Sequence, residues 1–185
     1  MEVIQTPIQG LIEIVPRSFP DERGWFMEVF KQTTFEQFGF PTVFPQDNLS
    51  FSKKGVIRGL HFQIPPYGQA KVVSVLQGKV LDVAVDLRKG SSTFGQYYAT
   101  VLDADRHNML LIPEGFAHGF SVIEDAYFFY KCSSLYNPKS ESGIVWNDPD
   151  LNIDWKNDDP LISGKDQALP TLEELLRKSV ISRDI

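Results

Sequence analysis

The chain has 185 residues, 42% hydrophobic and 23% charged, a balance that suits one packed domain over 1–185 and excludes wholesale disorder. A formal charge of −6 and a pI near 5.0 argue against nucleic acid and anionic membranes as partners, but leave room for a small anion held by local cations. Cys132 is the only cysteine, no apolar run reaches the ~18 residues of a membrane span, and "MEVIQTPIQG" lacks the core of a leader, so a cytoplasmic protein without an intrachain disulfide is expected.

Turn residues break the chain about every ten positions, and the apolar runs between them favour β-branched and aromatic side chains. "LIEIV" and "WFMEVF" open the series, followed by a short helix over Thr33 to Gly39, with Thr34 as N-cap, Gln37 behind it and Gly39 as the stop. "VVSVLQG", "VLDVAVDL", "YYATVL", "MLLIP" and "YFFYKCSSLY" continue as strands. In Val80 to Leu87, alternation sets Leu81, Val83 and Val85 on one face and Asp82, Ala84 and Asp86 on the other. Many short strands at this spacing predict a β-sandwich or barrel. From 148 to 185 the chain should wrap over that body, with Trp155, Leu161 and Ile162 buried. A C-terminal helix from Thr171 to Ile181 carries Thr171 and Glu174 as a capping box.

Strand burial does not explain the charge in "VIRGLHFQIPPYGQAKVVSV", Val56 to Val75. Parity sets His61 and Gln63 on one face, and the short connection lets Lys71 stand on a hairpin partner beside them, so that His61 and Lys71 share a cavity. Arg58 faces the other way unless Gly59 marks a bulge. "IPEGFAHGF" brings His118 out of a turn onto a strand, in the form of the second cupin motif. Metal-binding cupins place a second histidine where this chain has Gln63, and Lys71 stands in the region of their carboxylate. Two imidazoles beside an ammonium make a poor divalent site, so neither metal nor cofactor is expected.

Six blocks, in order, closely resemble the dTDP-4-dehydrorhamnose 3,5-epimerase family: "DERGWFMEVF", "FPQDNLSFSKKGVIRGLHFQ", "GKVLDVAVDLRKGSSTFGQ", "IPEGFAHGF", "YKCSSLYNPKSESGIVWNDPDLNIDW" and "LISGKDQALP". Together they run from about Ile12 to Pro170. The resemblance implies an all-β, cupin-type jelly roll with a few short helices, forming a homodimer by exchange of N-terminal strands. It implies a metal-free epimerase that inverts C3 and C5 of dTDP-4-dehydro-6-deoxy-D-glucose. By the same matching, His61 is the base, Asp166 holds its tautomer, Lys71 stands by the enolate oxygen and Tyr130 is the proton donor. Substrate contacts fall on Arg23, Glu28, Gln46, Asp47, Asn48, Arg58, Gln63, His118, Glu141 and Lys165. Leu135 departs from the family, which often has a second tyrosine before Tyr136. The alternatives are a 3-only or 5-only epimerase, a metal-dependent cupin oxygenase, and a sugar-nucleotide binding protein without activity.

Overall fold

A computed structural model describes residues 1–181; the end of the expected wrap, 182–185, lies outside the described residues. Chain order is β1 (Glu2–Gln5), β2 (Ile12–Val15), β3 (Ser18–Asp21), β4 (Gly24–Met27), α1 (Gln32–Gln37), β5 (Gln46–Ser52), β6 (Ile57–Gln63) and β7 (Lys71–Asp86). Then come β8 (Tyr97–Asp103), β9 (Met109–Ile112), β10 (Phe116–Cys132), β11 (Glu141–Gly143), α2 (Gly164–Gln167) and α3 (Leu172–Arg177).

Two long strands organise the jelly roll. β7 and β10, of 16 and 17 residues, pair antiparallel from Lys71↔Cys132 to Asp86↔Phe116. On its other flank, β7 takes β9 along Lys71 to Ser74 and β8 along Lys79 to Val85. β10 takes β6 near His118 to Ser121 and β5 along Ala126 to Cys132. Each long strand therefore leaves one sheet and enters the other. The nine strands are bonded as one sheet folded on itself, whose first wall, the first sheet below, reads β1-β2-β9-β7-β10-β5 and whose second reads β8-β7-β10-β6-β11, with β3 and β4 as a separate hairpin. The corner lies where the register slips, between Val122 and Phe128. Gly78 sits there at φ +79, and a Cβ on it would lie 2.1 Å from the Asp125 carbonyl oxygen, so no side chain fits.

The alternation in β7 is as expected, but both faces are buried. Val80 and Ala84 join Val73, Val75, Phe120 and Phe128 between the sheets, while Leu81, Val83 and Val85 pack under Leu151, Trp155, Leu172 and Leu175 of the C-terminal wrap. Asp82 and Asp86 thus point inward and are 0% exposed. The wrap is pinned by polar bonds: Asp148 accepts from the Leu172 amide at 2.7 Å, and the Trp155 indole donates to the Trp146 carbonyl at 2.7 Å. Thr171 and Glu174 form the expected capping box, but α3 stops at Arg177, short of Ile181. Near the N-terminus, α1 begins two residues before the expected Thr34 cap. Its start is set by Phe35, buried edge-on against Phe30 and Phe44, while its N-cap residue Lys31 supplies no capping bond.

Candidate active site

β6 and β7 are not hairpin partners. β10 runs between them, so the cross-strand neighbour of His61 is His118, and that of Lys71 is Cys132. His61 and Lys71 nevertheless line one cleft of about 290 Å3 between the sheets, because their strands belong to opposite walls. Arg58 reaches the same cleft. From His118↔His61 to Phe120↔Arg58, β10 advances two residues while β6 advances three, so β6 bulges at Gly59. Gly59 has φ +104, and a Cβ there would lie 2.6 Å from the His118 carbonyl oxygen, so only glycine allows this bulge.

On the second-sheet wall, His61 Nε2 sits 2.7 Å from Oδ1 of Asp166. α2 delivers that carboxylate: Ser163 caps the helix by accepting from the Asp166 amide, and Asp166 Oδ2 accepts from the Gly59 amide at 3.3 Å. Burial pushes the Asp166 pKa up, but the His61 hydrogen bond and charge, with the Gly59 and Ser163 bonds, outweigh it and hold it below the ordinary 3.8. An ionised carboxylate only accepts, so His61 carries its proton on Nε2 and leaves Nδ1 to take another. Beside it, His118 Nε2 lies 2.9 Å from Asp82 Oδ2; Asp82 Oδ1 is buried and has no partner among the described residues.

The first-sheet wall supplies Lys71, Tyr130 and Cys132. Tyr130 pairs with Val73 and Cys132 with Lys71, so all three side chains share the inner face. Burial lowers the Lys71 pKa from 10.5, with Cys132, Asp82 and Glu141 partly restoring it. Burial also raises Tyr130 above 10.0, so its phenol stays protonated well past neutrality. The arrangement sets a base on one wall against an ammonium and a phenolic donor on the other, which suits proton transfer at two faces of a bound carbon acid.

A smaller hollow of about 110 Å3 continues the cleft and shares His61, Lys71 and Tyr130 with it. Gln46, Asn48, Gln63 and Glu141 line it, together with Tyr136. Glu141 Oε2 accepts from the Tyr136 hydroxyl and from Lys165 Nζ, both at 2.7 Å. Burial works to raise the Glu141 pKa, but Lys165 and Tyr136 keep it low. Gln63 makes its bonds to loop backbone: Nε2 to the Tyr67 and Leu135 carbonyls, Oε1 from the Asn137 amide.

Eleven of the fourteen expected site residues thus meet at this cleft and its extension. The other three lie elsewhere. Asp47 alternates with Asn48 onto the outer face of β5 and pairs with Lys131 at 2.7 Å. Arg23 is at the tip of the β3–β4 hairpin, bonded among the described residues only to Asp21, and Glu28 follows that hairpin near Lys31. A larger, mostly apolar hollow of about 380 Å3, involving Trp25, Phe30 and Met109, lies outside the first sheet; the titratable side chains that line it are His107 and Lys131. The expectations did not include Asp82, Cys132 or Tyr136. Asp82 had a signal, a carboxylate alternating with apolar residues in β7; Cys132 and Tyr136 read as ordinary strand, although the strand ends at Cys132 and Tyr136 lies in the loop after it.

Known proteins share this fold. The profile described as dTDP-4-dehydrorhamnose 3,5-epimerase matches residues 5–174. A dTDP-4-dehydrorhamnose 3,5-epimerase of Escherichia coli (strain K12) is 48% identical over 98% of this chain and 100% of its own. A crystal structure of the dTDP-6-deoxy-D-glucose-3,5-epimerase of Legionella pneumophila, in complex with dTDP-4-keto-L-rhamnose, superposes with a TM-score of 0.92 at 44% identity. It covers 100% of this chain and 98% of that one. A 3'-monoepimerase from Streptomyces bikiniensis, in complex with dTDP-quinovose, gives a TM-score of 0.89 at 36% identity, covering 96% of this chain and 91% of that one. With its profile match spanning most of the sequence and relatives this similar along their full length, the chain belongs to the dTDP-4-dehydrorhamnose 3,5-epimerase family, isomerases of dTDP-linked sugars.

Proposed function

We propose that this chain inverts C3 and C5 of dTDP-4-dehydro-6-deoxy-D-glucose to give dTDP-4-dehydro-L-rhamnose. One observation carries the reading: a histidine held by a buried carboxylate stands on one wall of the cleft, opposite a tyrosine and a half-buried lysine on the other. Both carbons are α to the C4 ketone, so each C–H is acidic once the enolate is stabilised. His61 Nδ1 removes the proton, and Lys71 stabilises the negative charge that develops on the C4 oxygen. Loss of one such group typically costs about 3–4 kcal/mol of barrier. Tyr130 returns a proton to the opposite face, and each positioned acid or base contributes ~10²–10⁴ in rate. His118, fixed by Asp82, adds a second imidazole on the His61 wall.

The polar rim suits the rest of the molecule. The Arg58 guanidinium and the Lys165 ammonium give the diphosphate two cations in an otherwise acidic protein. Gln46, Asn48 and Glu141 offer partners to sugar hydroxyls, and the half-exposed Tyr136 ring offers a flat face to the base.

The active unit is a homodimer with exchanged N-terminal strands, working in the cytoplasm. Trp25, Phe26, Leu49 and Leu76 are each more than half exposed on the outer side of the first sheet, an apolar surface of the kind a partner covers. Arg23 and Glu28 stand on that side, away from their own cleft, and through the exchange they reach the partner's. Leu135 and the similarity to a 3'-monoepimerase favour single inversion as the competing reading. The test is conversion of dTDP-4-dehydro-6-deoxy-D-glucose by the purified protein, with product configuration assigned by NMR. Inversion at both carbons supports the 3,5-epimerase, and inversion at C3 alone supports the competitor.

A further inference from the structure

Gln63 ends β6, two residues beyond His61, at the position where metal-binding cupins carry a second histidine. Its side chain is buried, yet it is already spent. Nε2 donates both hydrogens, to the carbonyls of Tyr67 at 2.6 Å and Leu135 at 3.3 Å, and Oε1 accepts from the Asn137 amide at 2.6 Å. One amide thus ties the loop after β6 to the loop after β10. Two further bonds close the seam: Gln69 Nε2 donates to the Ser134 carbonyl, and Ser134 Oγ to the Gly68 carbonyl, both at 2.7 Å.

What this seam fixes is Tyr136. Gln63 grips the peptide groups on either side of it. Gln46 Oε1 accepts from its amide at 2.7 Å, and Glu141 accepts from its hydroxyl. A half-exposed aromatic on a loop ordinarily keeps rotamer and backbone freedom, and losing that freedom on binding weakens affinity. Here the freedom is removed before a ligand arrives.

We propose that Gln63 is a positioning residue: it leaves substrate contact to its neighbours and pre-orders the Leu135–Asn137 loop, so that Tyr136 is set to receive the nucleotide. It therefore governs affinity for the dTDP portion and not the proton transfers. The inference rests on the nucleotide-sugar reading of the cleft.

The test uses Gln63→Met, of similar length but without an amide, and titrates dTDP alone alongside steady-state turnover. The dTDP Kd and the substrate KM rise about tenfold, the order expected when a pre-ordered side chain must be ordered by its ligand, while kcat stays within about twofold. In a Tyr136→Ala background, the same change moves the dTDP Kd by less than about twofold, because its means of action is gone. A fall in kcat at unchanged Kd, or a full loss in the Tyr136→Ala background, overturns the proposal. Should Gln63→Met fail to fold, Gln69→Met removes one bond of the same seam; an unchanged dTDP Kd there also overturns it. Wild-type protein that does not bind dTDP overturns the nucleotide-sugar reading itself, whereas wild-type binding with Gln63→Met unaffected overturns only the role of Gln63.

Discussion

Asp166 holds His61 by one oxygen and the Gly59 bulge by the other, at 2.7 and 3.3 Å. The carboxylate that selects the tautomer of the base also fixes the backbone turn that brings Arg58 into the cleft. Asp166→Asn keeps the shape but offers Nε2 an amide, which can present hydrogens and stabilise the wrong tautomer. A comparable change in a serine-protease triad lowers kcat by ~10⁴, so a fall of ~10²–10⁴ with little change in KM is expected. Steady-state kinetics within a few-fold of wild type would remove Asp166 from the mechanism.

Lys71 is expected to set the alkaline limb of the pH profile. Burial lowers its pKa from 10.5, so its ammonium is lost as pH rises, earlier than for an exposed lysine. Tyr130, raised above 10.0, keeps its proton through that range. Lys71→Arg cannot lose its charge, so the alkaline limb of kcat/KM should move upward even where turnover is reduced. An unmoved limb would assign it to another group.

Asp86 is an acid-sensitive point in the fold. Burial works to raise its pKa, but bonds from Arg88, Ser91 and Thr93 bring it down to about 2, from an ordinary 3.8. A lowered carboxylate pKa stabilises the folded chain above the ordinary value, and that contribution is lost as pH falls toward the folded one. The gap is worth about 2 kcal/mol at neutral pH. Asp86→Asn should therefore lower the urea midpoint most near neutrality, with the difference shrinking toward pH of about 2. A difference independent of pH would mean that the charge is not what stabilises the turn.

The proposed dimer is tested at its apolar face. Phe51 and Tyr127 form a ring pair there at 5.0 Å, beside Leu49 on the edge strand β5. Wild type should sediment as twice the 21.0 kDa chain. Phe51→Asp should shift it to monomer and reduce turnover, since Arg23 and Glu28 would no longer reach a partner's cleft. A fully active monomer would contradict the exchange.

Much of this was legible in the residues, though of the wrap residues expected to be buried, Trp155 is and Leu161 is 66% exposed. Alternation in Val80 to Leu87 gave β7 its faces correctly, yet one face bearing two aspartates turned out to be interior, because a sandwich buries both sides of a strand that also carries a C-terminal wrap. The hairpin of β6 and β7 was a local inference, and a strand from fifty residues later took the place between them. The cavity pairing of His61 with Lys71 survived, since facing walls bring side chains together as well as neighbouring strands do. Gln63 matched a motif position, but its bonds to two loops are tertiary and leave no mark on spacing.

The central claim is that His61 removes the protons α to the ketone and Tyr130 returns them from the other face. The most direct measurement is incubation with dTDP-4-dehydro-6-deoxy-D-glucose in deuterated water, reading isotope and configuration at C3 and C5 for wild type, His61→Ala and Tyr130→Phe. The account predicts deuterium with inversion at both carbons in wild type, no uptake in His61→Ala, and uptake with slowed inversion in Tyr130→Phe. Undiminished uptake in His61→Ala would contradict it.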